Sequence, residues 1–213
     1  MLYRDALVMY DRETGTLWSH VDGRALKGAL LGQTLQPLPA MHATWQEWKT
    51  LYPESLVLKK QGERESSYDD YNRDPSRIGI FGRRIKDSAL PPKERILGVR
   101  YADSATAFVL KDVRQAGIVQ AEVGGVPILF ASMSSTLPVV AFERRLRGRV
   151  LTFNRTPSTT ELEDTETHSR WRISDGIALD GPLKGERLAR VTAYPASWFG
   201  WQGFFPRSNI WNK

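Results

Sequence analysis

The chain contains no cysteine among its 213 residues. That excludes disulfides, thiolate metal knuckles and thiol nucleophiles supplied by the chain itself, and it leaves the compartment open. No apolar run approaches the roughly 20 residues that a membrane-spanning helix needs. The first residues, Met1-Leu2-Tyr3-Arg4-Asp5, do not show a basic start followed by a long apolar stretch. Phosphate-cradling loops are also missing, because Gly176-Ile177-Ala178-Leu179-Asp180-Gly181 lacks the following Lys-Ser/Thr. The nucleophile-elbow pattern of serine hydrolases does not occur either. Histidine is scarce, with three in the whole chain, at positions 20, 42 and 168.

Tryptophan is plentiful. Six of the seven form three pairs at one offset: Trp18 with Trp171, Trp45 with Trp198 and Trp48 with Trp201, each 153 positions apart. The same gap-free offset aligns Asp11-Arg12-Glu13-Thr14 with Asp164-Thr165-Glu166-Thr167, and Asp22-Gly23 with Asp175-Gly176. It also aligns Gly28 with Gly181, Gly32 with Gly185, Leu35 with Leu188 and Pro53 with Pro206. Such a run reads as an internal repeat. On that reading residues 1–60 are the C-terminal half of a first repeat, 61–95 a linker, and 96–213 a complete second repeat. The stretch 96–153 then has no counterpart, and the first lobe is expected to be incomplete. Missing strands would leave sheet edges and apolar surface exposed, so another chain or an upstream polypeptide is expected to cover Leu7–Tyr10 and the Trp18 strand.

Local patterns point to a β-dominated α+β fold, with two related lobes of short antiparallel strands, each carrying a short Trp-bearing helix. In the first copy Leu7–Tyr10 and Leu17–Val21 read as strands around a turn, and Asp22-Gly23 as a tight turn. Thr44-Trp45-Gln46-Glu47 is a capping box, and Trp45, Trp48 and Tyr52 fall on one helical stripe. Ser197 can cap the second helix, but Gly200 replaces the glutamate and Gly203 loosens the turn. Leu56–Leu58 and Asn209–Trp211 read as equivalent strands. Between the copies, Leu90-Pro91-Pro92-Lys93-Glu94-Arg95 is expected to be stiff and extended. Ile96–Tyr101, Thr106–Leu110, Val126–Ala131, Val139–Phe142 and Val150–Phe153 read as strands, and Lys111–Ala121 as a helix.

The net charge of +6 raises the question of nucleic acid or another anionic surface as partner. The run Arg144-Arg145-Leu146-Arg147-Gly148-Arg149 lies between strand-like segments and reads as a solvated hairpin turn. No helix-turn-helix, finger or aromatic RNP signature accompanies it, so nucleic acid is not the expected partner. A basic surface-binding protein is the second alternative.

The segments Asp5–Thr14, Leu17-Trp18-Ser19, Leu38–Trp45, Leu90–Val99 and Val123–Pro127 resemble an uncharacterised prokaryotic family, domain of unknown function 3179. The resemblance implies an extracytoplasmic protein. It also implies that the first copy of family members carries a His, a Cys-x-x-Cys pair and a later His at the position of His42, a set suited to copper or zinc. In the second copy the paired cysteines fall on Met133 and Thr136, the upstream His on about Ala116, and the His42 position on Pro195. No metal ligand is expected there.

These readings favour an uncharacterised binding or structural module. The alternative is a metal-dependent redox or hydrolytic enzyme in which His42 joins ligands from outside the chain, with a copper or zinc ion as cofactor. His42, His20, Trp45 and Trp48 are the candidate binding residues, and His42 the candidate metal ligand. Trp18, Trp171, Trp198 and Trp201 are expected to be buried packing anchors. Asp11/Glu13 and Asp164/Glu166 sit in hairpin turns, where Asp and Thr bond their own backbone, and His168 replaces Gly15 in an exposed turn.

Overall fold

The computed structural model describes residues 2–4, 6–58, 71, 73–75, 78–79, 88–134 and 138–212. The fold is β-dominated α+β with short antiparallel sheets, and among the described residues it carries three complete seven-residue helices, two of them bearing tryptophan. The chain divides into two compact units. One comprises Met1–Leu38, Leu56–Ile96 and Ala196–Ser208; the other comprises Pro39–Ser55, Leu97–Pro195 and Asn209–Lys213.

In the first unit β1 (Leu2–Tyr3), β2 (Ala6–Tyr10), β3 (Leu17–Ser19) and β4 (Ala25–Lys27) form one sheet in sequence order. Its buried residues include Trp18 and Ala25 from the sheet and Trp198, Trp201 and Phe204 from the helix at Trp198–Phe204. The segment before Ile96 is not extended as expected. The Glu94 N–H donates to the Pro91 carbonyl at 2.8 Å, closing a turn at which Pro92 supplies a preset φ. Lys93 then lies over the Tyr71 ring, 3.7 Å from its centre.

The second unit holds helix α1 (Trp45–Leu51) and the pair β5 (Arg95–Tyr101) and β6 (Ser104–Val109), followed by helix α2 (Leu110–Ala116). Strands β7 (Ile118–Val123), β8 (Val126–Ser132) and β9 (Val139–Glu143) form an antiparallel meander. β8 is apolar on both faces because both are covered. Leu129 and Ala131 pack into one core cluster with Trp171, and Ile128 and Phe130 into another with Phe108. β10 (Arg145–Leu146) and β11 (Arg149–Val150) make the expected small hairpin, with Arg147 and Gly148 both at positive φ. Arg144 is not part of its solvated tip: the guanidinium donates to the Leu151 carbonyl at 2.7 Å, and burial pulls its pKa down.

Strands β12 (Phe153–Arg155), β13 (Glu161–Asp164) and β14 (Arg170–Arg172) form a further three-stranded sheet. β15 (Tyr194–Ser197) lies beside β5. Helix α3 (Trp198–Phe204) follows, and β16 (Asn209–Trp211) pairs in parallel with β6.

Three expected elements differ, one being Val150–Phe153, which is split between the end of β11 and the start of β12. The helix over Lys111–Ala121 stops at Ala116, because Gly117 takes a left-handed φ of 71° and the alternating Val119 and Val123 enter β7. Leu56–Leu58 is no strand, and the three residues are 98%, 62% and 87% exposed. A strand exists only through its ladder: Asn209–Trp211 has β6 beside it, and Leu56–Leu58 pairs with none of the described strands.

Several positions 153 apart adopt the same local geometry. In β2–β3 Met9 faces Trp18; in β13–β14 Leu162 faces Trp171. The Gly23 N–H donates to Ser19 and the Leu35 N–H to Gly23, while the Gly176 N–H donates to Arg172 and the Leu188 N–H to Gly176, all at 2.9–3.0 Å. Glycine is required at one such pair by close approach. A Cβ on Gly28 would lie 2.6 Å from the Thr16 Cα, and one on Gly181 2.7 Å from the Ser169 Cα.

Candidate functional site

The two hairpin turns place their carboxylates in self-contained networks. Asp11 accepts from the Glu13 N–H at 2.9 Å and from the Thr14 hydroxyl at 2.6 Å. The Thr14 hydroxyl first, then the Glu13 N–H, hold its carboxyl below the usual carboxylate range. Asp164 accepts from the Thr167 N–H at 2.6 Å and from the Trp171 indole N–H at 2.8 Å, and it is fully buried. Glu166 caps the Thr152 N–H at 2.8 Å. These acids organise turns. The Asp–Trp bond went unread in the sequence, although the seven-residue spacing from Asp11 to Trp18 and from Asp164 to Trp171 carries it.

His42 is exposed and lies on a small apolar cleft, with about 20 Å³ of space for water, that Met41, Leu97, Phe130, Arg190 and Pro195 also line. Pro195, 153 positions after His42, thus borders the same cleft. His20 is exposed in the first unit, at the end of β3, where its N–H donates to the Leu7 carbonyl. His168 is exposed at a φ of 57° with its ring against Glu163. Among the described residues no group of three or more His, Cys, Asp or Glu side chains converges on one point.

A wider open basin of about 400 Å³ is lined by Asn154, Arg155, Glu161, Glu163 and Arg170. Its cations are engaged already: Arg155 donates to the Ser132 carbonyl at 2.7 Å, and Arg170 to Asp180 at 2.6 Å. That guanidinium holds Asp180 below the ordinary carboxylate range.

The tryptophans separate into two groups. Trp18, Trp171, Trp198 and Trp201 are 6%, 1%, 2% and 0% exposed, whereas Trp45 and Trp48 are 49% and 37% exposed. Inside the two helices the geometry is nevertheless the same. The Trp48 indole N–H donates to Ser55 at 2.8 Å, and that of Trp201 to Ser208 at 2.7 Å. Trp48 packs on Tyr52 with centroids 4.5 Å apart, and Trp201 on Phe205 at 4.3 Å. Tyr52 is 40% exposed, so α1 presents three aromatic rings to solvent. What anchors α1 is polar: Glu47 closes the capping box with Thr44 and pairs with Arg114 at 3.0 Å, across 67 positions. Leu51 adds an apolar contact to the core cluster around Trp171.

The family described as "Protein of unknown function (DUF3179)" matches residues 1–208, and the chain belongs to it. No curated protein and no solved structure matches the chain.

Proposed function

For a member of a family of unknown function, we propose that this chain is a binding or structural module of an extracytoplasmic protein, and that it works through the aromatic face of α1. Residues 1–60 are the C-terminal half of a first repeat, 61–95 the linker, and 96–213 a complete second repeat. The extracytoplasmic placement rests on the family resemblance.

The observation that carries this reading is the exposure of Trp45, Trp48 and Tyr52 on one helix, where the matching tryptophans of α3 are buried. Exposed aromatic rings grouped on a rigid element are what a contact surface needs, because they bring large area at little entropic cost. The aspartates of the two turns, Asp11 and Asp164, are bound into their own backbone, which gives them a structural task.

Two measurements test the reading together. Iodide should quench the Trp45 and Trp48 emission of the isolated chain, and removal of both exposed rings should abolish most of the quenching. Metal analysis of the wild type and of His42→Ala should give the same result. Stoichiometric zinc or copper that disappears with His42 would replace this reading with a metal centre.

A further inference from the structure

The start of the α3 face that corresponds to the open face of α1, at Trp198, is engaged by an identifiable piece of polypeptide. Ser88–Glu94 runs along the start of α3. The Ser88 hydroxyl accepts from the Trp198 indole N–H at 2.9 Å, the Glu94 carbonyl from the Trp198 N–H and the Pro92 carbonyl from the Phe199 N–H, both at 2.9 Å. All these residues belong to the first unit. The segment is a proline turn, and with it in place Trp198 is 2% exposed.

Trp45 occupies the position of Trp198 and is 49% exposed. Its indole N–H has no acceptor among the described residues, while the neighbouring Trp48 repeats the internal bond of Trp201. The tryptophans are therefore arranged alike within the two helices, and their difference in exposure lies in what covers them.

We propose that the Trp45–Trp48–Tyr52 face of α1 is a docking seat for a proline-turn segment of a partner polypeptide chain, bound as Ser88–Glu94 is bound on α3. This rests on the binding-module reading and names the chemistry of the partner. The occupant carries a hydroxyl or carbonyl that accepts from the Trp45 indole N–H. It also carries proline, as segments that dock on aromatic-lined surfaces do. Desolvated tryptophan at the centre of such a contact carries a large share of its energy.

The probe is a synthetic peptide with the sequence of Ser88–Arg95, added to the intact chain and also tethered to it through a flexible Gly/Ser linker. Tethering raises the effective concentration to about the millimolar range. A saturable change in tryptophan emission is expected, with Kd on the order of 1 mM or tighter. The tethered peptide should shield the chain from iodide, and a scrambled tether should not. Trp45→Ala should weaken binding about tenfold or more, and Trp45→Phe, which keeps a ring and removes the N–H, should fall between. Equal shielding by native and scrambled tethers, or unchanged affinity in Trp45→Ala, overturns the proposal while leaving the aromatic face a contact surface. Shielding that appears only as the chain itself is concentrated also overturns it, because the occupant is then a second copy. Tryptophans already shielded in the isolated chain overturn the underlying reading as well.

Discussion

Helices α1 and α3 have the same length, the same tryptophan spacing and the same indole-to-serine bond, yet they are held in place by different physics. α3 buries Trp198, Trp201 and Phe204, and its N-cap residue Ser197 makes no side-chain capping bond. α1 leaves its tryptophans partly exposed and relies on a full capping box and the Glu47–Arg114 pair. A seven-residue helix has almost no stability of its own, so each must be fixed from outside. Burial does this for α3, and polar anchors together with Leu51 do most of it for α1.

The strongest way to break that comparison is to remove matched rings. Trp201→Ala should destabilise the protein by about 3–5 kcal/mol, the cost of a large cavity in a packed site. Trp48→Ala should cost roughly 1 kcal/mol or less, since that ring is already partly hydrated. Urea unfolding followed by circular dichroism reads both. Equal losses would mean that the two helices share one mode of attachment.

Next in size is Glu47→Ala. It removes the cap of α1 and leaves the Arg114 guanidinium without its carboxylate, so about 2 kcal/mol should be lost. Glu47→Gln keeps an acceptor for the Thr44 N–H and should lose less. The midpoint in urea should move with little change in slope, because only a short helix is affected. A loss below about 0.5 kcal/mol would show that Leu51 and its apolar neighbours hold α1 without help.

Much of this contrast could be read in the sequence, and the unread part has a common cause. The capping box needs four consecutive residues, and the turn glycines need only their own φ, so both were legible. The aromatic stripe of α1 was legible as a stripe, but periodicity states which residues share a face and not what lies opposite them. Leu56–Leu58 shows the same limit: its β-prone composition matches Asn209–Trp211, yet only the latter has β6 beside it. The bond between Arg114 and Glu47 spans 67 positions, and nothing local announces it. At the candidate site, His42 was singled out by its residue type. Its shared cleft with Pro195 depends on strands β8 and β9, far along the chain.

The smallest effect sharpens the comparison most directly, because it moves a feature of one helix into the other. Gly200 stands where α1 has Glu47, and a Cβ built on it meets nothing within 4 Å. Gly200→Ala should therefore stabilise α3 by about 0.5–1 kcal/mol through backbone entropy alone, seen as a melting-temperature rise of a few degrees. Ser197 already has the extended backbone that an N-cap adopts, with φ −83° and ψ 144°. Gly200→Glu should thus complete a capping box and exceed the alanine gain by roughly 0.5 kcal/mol or more. If glutamate gives no more than alanine, a helix held by buried tryptophans has no use for a cap. The capping box of α1 would then belong specifically to a helix whose aromatic face is kept open.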